Sequence, residues 1–261
     1  FRRLVERAAR ELIPLDVSLE LTWHCNFRCR HCYIPDFHAP DGVSTSRLLE
    51  LLEELAGLGT LFLSLTGGEP LLRRDWDVVA RRARELGFQV TFLTNGSLVD
   101  DRVADTLAEL AIQVQVSLYS SNPIVFDRVT ARTGSAAQVI EGVKRLRDRG
   151  VSVELMAPIS RLNPDGATSV PRLADALGVE SRVYTTIFAA KDGGRAPLAL
   201  RLPTAEAVRL AGAPGTGCHL PDEGATHPGG DGPLCAAGVR YANITASGDV
   251  LACNILPGSA G

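Results

Sequence analysis

Nowhere in the chain does an apolar run approach the ~20 residues a helix needs to cross a bilayer, so no membrane partner is expected. An excess of positive charge is missing too. The formal net charge is -3, which leaves no basic footprint for nucleic acid. A secretion signal is also lacking, because the opening FRRLVERAARELIPLD reads as a basic amphipathic helix. Without that signal, the six cysteines point to a reduced, cytoplasmic setting and to metal or redox chemistry rather than disulfides. Internal repeats are absent. What remains, 45% hydrophobic and 22% charged over 261 residues, is an ordinary globular composition with ample material for a core.

The pattern along the chain is alternation. Strand-like runs at Asp16–Trp23, Thr60–Gly68, Phe88–Gly96, Ile112–Ser120, Val151–Ile159 and Ser181–Ala189 are separated by helical patterns. The helices are expected near 46–58, 75–86, 100–110, 136–149 and 169–177. In the first of these Ser44 or Ser46 is a candidate cap, and Leu48, Leu51, Leu52, Leu55 and Leu58 share one face. Repeated βα steps with apolar strands imply an α/β fold. Its expected form is a partial (βα)6, TIM-like barrel, a parallel sheet covered by helices. After Ala190 the texture turns rich in Gly and Pro. The expected division is therefore a helical segment at 1–15, a core at 16–190, a linker at 191–216 and a small cysteine-bearing, loop- and hairpin-rich extension at 217–261.

Three cysteines, Cys25, Cys29 and Cys32, crowd into LTWHCNFRCRHCYIPDF directly after the first strand. That is the end of a parallel sheet where chemistry collects. Thiolates are soft ligands for zinc or for an iron–sulfur cluster. Zinc would need a fourth ligand from His24, His31 or His38, and the first two directly adjoin a cysteine. Three structural cysteines are the plainer alternative.

The spacing C-x3-C-x2-C followed by an aromatic, Tyr33, resembles the signature of the radical S-adenosylmethionine (SAM) enzymes. The resemblance implies a [4Fe–4S] cluster held by Cys25, Cys29 and Cys32, with SAM on the fourth iron. A second match lies about 35 residues on, where LTGGEP places Gly67, Gly68, Glu69 and Pro70 at the end of the second strand. In the family this motif contacts the SAM amino group. Thr94–Gly96, with Asn95 at its centre, and Ser117 stand where relatives approach the cofactor. Tyr33 is expected to meet the adenine through its backbone. The sequence departs from the family after Ser117, where Tyr119 and Ser120 replace Asp and Gly. An expected arginine has no clear counterpart, and Thr130 stands in its place between Arg128 and Arg132.

Near the C-terminus, CAAGVRYANITASGDVLAC spaces Cys235, Gly248 and Cys253 by twelve and four residues. This resembles the start of the SPASM extension of radical SAM enzymes, with a hairpin turning at Ser247-Gly248. It implies an auxiliary iron–sulfur cluster on Cys235 and Cys253. Cys218 is either a third ligand, as in the shorter twitch extension, or a free thiol. His219 and His227 read as loop residues.

The resemblance implies an oxidoreductase that cleaves SAM reductively to a 5′-deoxyadenosyl radical and takes hydrogen from a substrate. An electron donor such as flavodoxin or ferredoxin is implied as a partner. The SPASM likeness points to a ribosomally made precursor peptide, matured by crosslinking or oxidation. The alternatives are a small molecule such as a tetrapyrrole, a sulfatase-type side chain, or a non-enzymatic zinc-binding protein. No catalytic acid or base stands out, and Asp192 and Asp222 lie in loop-like sequence.

Overall fold

The computed structural model describes residues 2–39, 42–211 and 236–254. A helix, α1 (Arg2–Glu11), precedes the first strand, β1 (Asp16–Thr22). Then follow α2 (Thr45–Leu58), β2 (Phe62–Gly67), α3 (Trp76–Glu85), β3 (Gln89–Thr94), α4 (Asp101–Glu109) and β4 (Gln113–Ser117). Two helices, α5 (Pro123–Thr130) and α6 (Ser135–Asp148), lead to β5 (Val153–Pro158). The remaining elements are α7 (Gly166–Leu177), β6 (Glu180–Tyr184), α8 (Thr204–Ala211), β7 (Tyr241–Ile244) and β8 (Val250–Leu251).

The strands form one sheet in the order β6-β5-β4-β3-β2-β1-β7-β8. Neighbours from β6 to β7 are all parallel, and only β8 runs antiparallel. This is the expected partial barrel, with its two ends at β6 and β8 among the described residues. The hairpin expected around Ser247-Gly248 is β7–β8. It joins the main sheet, because β7 pairs with β1 from Asp16↔Tyr241 to Leu19↔Ile244.

The sequence pattern missed two helices. Asn122 caps α5 through its side chain and Pro123 follows at the first helical position, a start signal short enough to pass as a turn. The segment expected to be linker also holds α8. The cap of α2 is Ser44, whose hydroxyl accepts from Arg47 N–H. Of its leucine stripe, Leu48, Leu52 and Leu55 are buried, while Leu58 is 56% exposed at the final turn.

The strands alternate more than a doubly covered sheet requires. Val17, Leu19, Leu21, Leu63, Leu65, Val90, Phe92, Val114, Val116 and Leu155 pack against helical Val79, Ala83, Leu107, Val139 and Val143. The other strand faces carry Ser18, Glu20, Thr66, Gln115, Ser117, Glu154 and Asn243. The core helices pack on the apolar face, which leaves the opposite face free to be polar. There Gln115 donates to Glu154, which also pairs with Arg182.

One polar knot ties distant segments together. Lys191, after β6, forms an ion pair with Glu20 of β1, and both side chains are buried. Trp23 Nε1 donates to Glu20 at 2.6 Å, and Asn243 Nδ2 donates to it from β7 at 3.3 Å. The Lys191 ammonium lies 5.5 Å from the Trp23 ring centroid and 5.4 Å from that of Tyr33. Truncating one partner strands a buried charge. Lys191→Met is therefore expected to destabilise the fold by roughly 3–5 kcal/mol in urea unfolding. Adding Glu20→Gln is expected to recover much of that loss.

Candidate active site

The segment from Trp23 to Ala39 has no helix or strand, yet its path is set by contacts from four directions. Arg28 and Arg30 N–H donate to the carbonyls of Thr130 and Val129, both at 3.0 Å. These are carbonyls at the end of α5, which its own helix leaves free. Phe27 is buried and meets Phe126 of α5 edge-on at 6.5 Å. Asn95 Nδ2 donates to Asn26 Oδ1 at 2.7 Å, and Asn26 Nδ2 donates to Ser97 at 2.9 Å. Arg132 donates to Asn26 O at 3.0 Å, and Lys191 N–H donates to Tyr33 O at 2.8 Å. Arg128 turns elsewhere, to Leu162 O. Thr130 is buried and shares its hydroxyl with Ser135.

The loop brings Cys25, Cys29 and Cys32 to the wall of one cavity of ≈ 320 Å³. Gly67, Gly68, Asn95, Ser117, Tyr33, Tyr119 and His31 line the same space. All three cysteines are free thiols. Burial pushes the Cys25 thiol up, the Cys32 thiol up to about 11, and the Cys29 thiol higher still. They keep their protons until a metal displaces them.

The glycine turn docks against the start of the loop. Gly68 N–H donates to Thr22 O at 2.7 Å, and Glu69 N–H donates to His24 O at 2.8 Å. A Cβ at Gly67 would lie 2.1 Å from Thr22 O, and one at Gly68 would lie 2.3 Å from His24 O. The glycines thus permit close backbone contact within the protein as well as baring backbone to the cavity. Glu69 and Pro70 are buried and do not line the cavity. The Glu69 carboxylate accepts from Thr94 Oγ1 and Asn95 N–H, both at 2.7 Å, and from Leu71 N–H at 3.1 Å.

Burial outweighs those three hydrogen bonds and pushes Glu69 up to about 7, from an ordinary value of 4.5. A raised carboxyl contributes stability that is full below pH 4.5 and lost as pH rises through about 7. Burial also lowers His31, to about 4, which works in the opposite direction over part of that window. The comparison with Glu69→Gln isolates the carboxyl. The wild type's advantage over Glu69→Gln is expected to shrink by roughly 2–3 kcal/mol between about pH 5 and pH 8. Urea titrations at both pH values check this.

His31 stacks edge-on against Tyr119 at 4.9 Å. His38 is exposed beside Arg28 at 3.3 Å, and His24 contributes its carbonyl to the glycine turn. Among the described residues, no three His, Cys, Asp or Glu side chains converge as ligands of one metal ion. A cluster makes a looser demand, since each thiolate takes its own iron. Three neighbouring thiols on one cavity wall suit that demand better than they suit a single zinc.

Cys253 lies elsewhere. It lines a second cavity of ≈ 420 Å³ with Asp16, Phe62 and Tyr241, the first residues of β1, β2 and β7. That is the end of the parallel strands opposite the cysteine loop. Cys218, Cys235, His219, His227 and Asp222 lie outside the described residues. Asp192 is exposed and caps its own loop through Gly194 N–H.

The sequence reading did not single out Glu20, Asn26 or Lys191, nor the cavity wall of Thr186, Ile187 and Phe188. For Lys191 no local pattern could have found it, as its partner is 171 residues away.

The Radical SAM superfamily model matches residues 19–164, more than half of the chain. The chain belongs to the radical SAM superfamily. Its core carries a C-terminal extension with three further cysteines. Among curated relatives, a pre-heme d1 synthase of Dinoroseobacter shibae is 30% identical over 72% of this chain and 47% of its own length. A PqqA peptide cyclase of Rhodopseudomonas palustris is 30% identical over 93% of this chain and 67% of its own length. The chain spans about half the length of the first of these relatives. In fold it is similar to Streptococcus suis SuiB bound to precursor peptide SuiA, with a TM-score of 0.76 at 16% identity. That likeness covers 99% of this radical SAM chain and 66% of the SuiB chain. Among the described residues no helix is long and apolar enough to cross a membrane.

Proposed function

We propose that this chain carries the catalytic core of a radical SAM peptide maturase, an oxidoreductase acting on a ribosomally made precursor peptide. The observation that carries the chemistry is the union of three thiols and a bared glycine turn on one cavity. Cys25, Cys29 and Cys32 would hold a [4Fe–4S] cluster, and Gly67, Gly68, Asn95, Ser117 and the Tyr33 backbone would hold SAM. With a flavodoxin- or ferredoxin-type electron donor, the bound cluster and SAM would supply radical chemistry able to take hydrogen from an unactivated carbon.

The protein's own share is placement and shielding. Glu69 and Pro70 act from behind the turn, Glu69 by bridging the end of β2 to the end of β3. Phe27, Ile34, Phe37, Ile187 and Phe188 give the cavity apolar walls that keep water from a reactive intermediate. Lys191 and Arg132 hold the two flanks of the cysteine loop.

The peptide reading is supported by the reach of the likeness to PqqA peptide cyclases. It covers 93% of this chain for the Rhodopseudomonas palustris relative, whereas that to the pre-heme d1 synthase covers 72%. An auxiliary cluster would draw on Cys253, which lines the second cavity, together with Cys235 and Cys218, in a SPASM-type extension over 217–261 beyond a core of 16–190.

The test is anaerobic reconstitution with iron and sulfide, reduction, and addition of SAM. Release of 5′-deoxyadenosine, measured by mass spectrometry and raised by a precursor peptide but not by a tetrapyrrole, is the expected result. An iron-loaded protein that releases none overturns the proposal.

A further inference from the structure

Two of the three thiols have hydrogen-bond partners of their own. The Cys25 sulfur accepts from Phe27 N–H at 3.4 Å, with the Asn95 amide at 4.0 Å. The side chain on Cys29 is a phenol: Tyr119 Oη lies 3.6 Å from its sulfur. Tyr119 is one of the positions where the sequence departs from the family pattern.

That phenol has little freedom to move. Tyr119 is 5% exposed, its ring wedged between His31 at 4.9 Å and Phe126 at 5.5 Å. Its carbonyl accepts from Asn163 Nδ2 at 2.9 Å. Leu118 N–H, one residue before it, is tied to Met156 O across the sheet. Between a free thiol and a phenol, either group can donate. A thiolate bound to iron has no proton, so the donor must then be Tyr119.

We propose that Tyr119 tunes the cluster by donating its phenolic O–H to the Cys29 thiolate, raising the cluster's reduction potential. A donor to a ligating sulfur draws off negative charge. It is therefore worth more to the reduced cluster, which carries one electron more, than to the oxidised one. The effect makes the cluster easier to reduce by a physiological donor. This inference rests on the reading of Cys29 as a cluster ligand.

The deciding variant is Tyr119→Phe, which removes one oxygen and keeps the ring between His31 and Phe126. Reconstituted wild type and variant are compared by iron and sulfide content and by potentiometric titration followed by electron paramagnetic resonance. The expected result is equal cluster content with a midpoint shifted to more negative potential in Tyr119→Phe. Tyr184→Phe, which removes another phenol from the same cavity wall, is expected to leave the midpoint in place. An unchanged midpoint in Tyr119→Phe at equal cluster content overturns the proposal. So does an equal shift in Tyr184→Phe, which would mean that general cavity polarity sets the potential. A wild type that takes up no cluster would instead overturn the site reading beneath it, so the two failures are told apart.

Discussion

Cys29→Ala is expected to reduce 5′-deoxyadenosine release to the background of the assay, with a matching loss of cluster iron. The reason lies in where each sulfur sits. Two thiolates remain in the variant, but a cluster that loses one protein ligand must recruit solvent or a buffer ligand in its place. The side chain that meets the Cys29 sulfur is Tyr119, a neutral phenol and a poor replacement for a thiolate. The fold should survive. Cys29 stands in a loop whose path is held by Arg28, Arg30 and Asn26, not by the cysteine itself. Thermal unfolding of the cluster-free protein should therefore move by no more than a small core truncation allows, about 1–2 kcal/mol. Retained SAM cleavage in the variant would remove Cys29 from the ligand set.

Gly67→Ala is expected to fail in the opposite manner, losing the fold along with the site. Gly67 has φ +130, and an added Cβ would lie 2.1 Å from the carbonyl oxygen of Thr22. At Gly68 the added carbon would meet His24 O at 2.3 Å and Trp23 O at 2.5 Å. These neighbours are backbone and cannot rotate aside. Relief requires breaking the bonds from Gly68 to Thr22 and from Glu69 to His24, which set the entry to the cysteine loop. The expected cost at either position is at least about 3 kcal/mol in urea unfolding, with poor cluster uptake in whatever folds. Gly57→Ala is the control. Gly57 lies within α2 with nothing near its missing Cβ, so alanine there should stabilise by about 0.5–1 kcal/mol. Equal tolerance at Gly57 and Gly67 would mean that the turn does not need its glycines.

The two variants mark what could be read in the chain and what could not. Cys25, Cys29 and Cys32 are legible because their relation is local: only five intervening positions separate the three, which brings them to one loop whatever else the chain does. The six core strands are legible for a similar reason, as each carries its own apolar pattern. The alternation within them is harder to interpret. Ser18, Glu20 and Thr22 look like defects in a buried strand until they are seen to share the face opposite Val17, Leu19 and Leu21, where Lys191 and Asn243 meet Glu20. The helix α5 was lost because eight residues give too little periodicity beside its Asn122-Pro123 start. That omission matters, since the carbonyls of Val129 and Thr130 hold the cysteine loop.

Sequence alone therefore determined the fold class, the βα order, the hairpin at Gly248 and the three thiols of the candidate site. These follow from local periods, turn residues and short spacings, which survive in one dimension. Tertiary structure decided the rest. It placed β7 beside β1, sent Glu69 behind the glycine turn, buried Lys191 against Glu20 and set Tyr119 against Cys29. Each of these joins residues far apart in the chain, and their closeness depends on how the sheet curls and on which face its helices cover. No local pattern encodes that, because the energy that selects it comes from burying the apolar face as a whole.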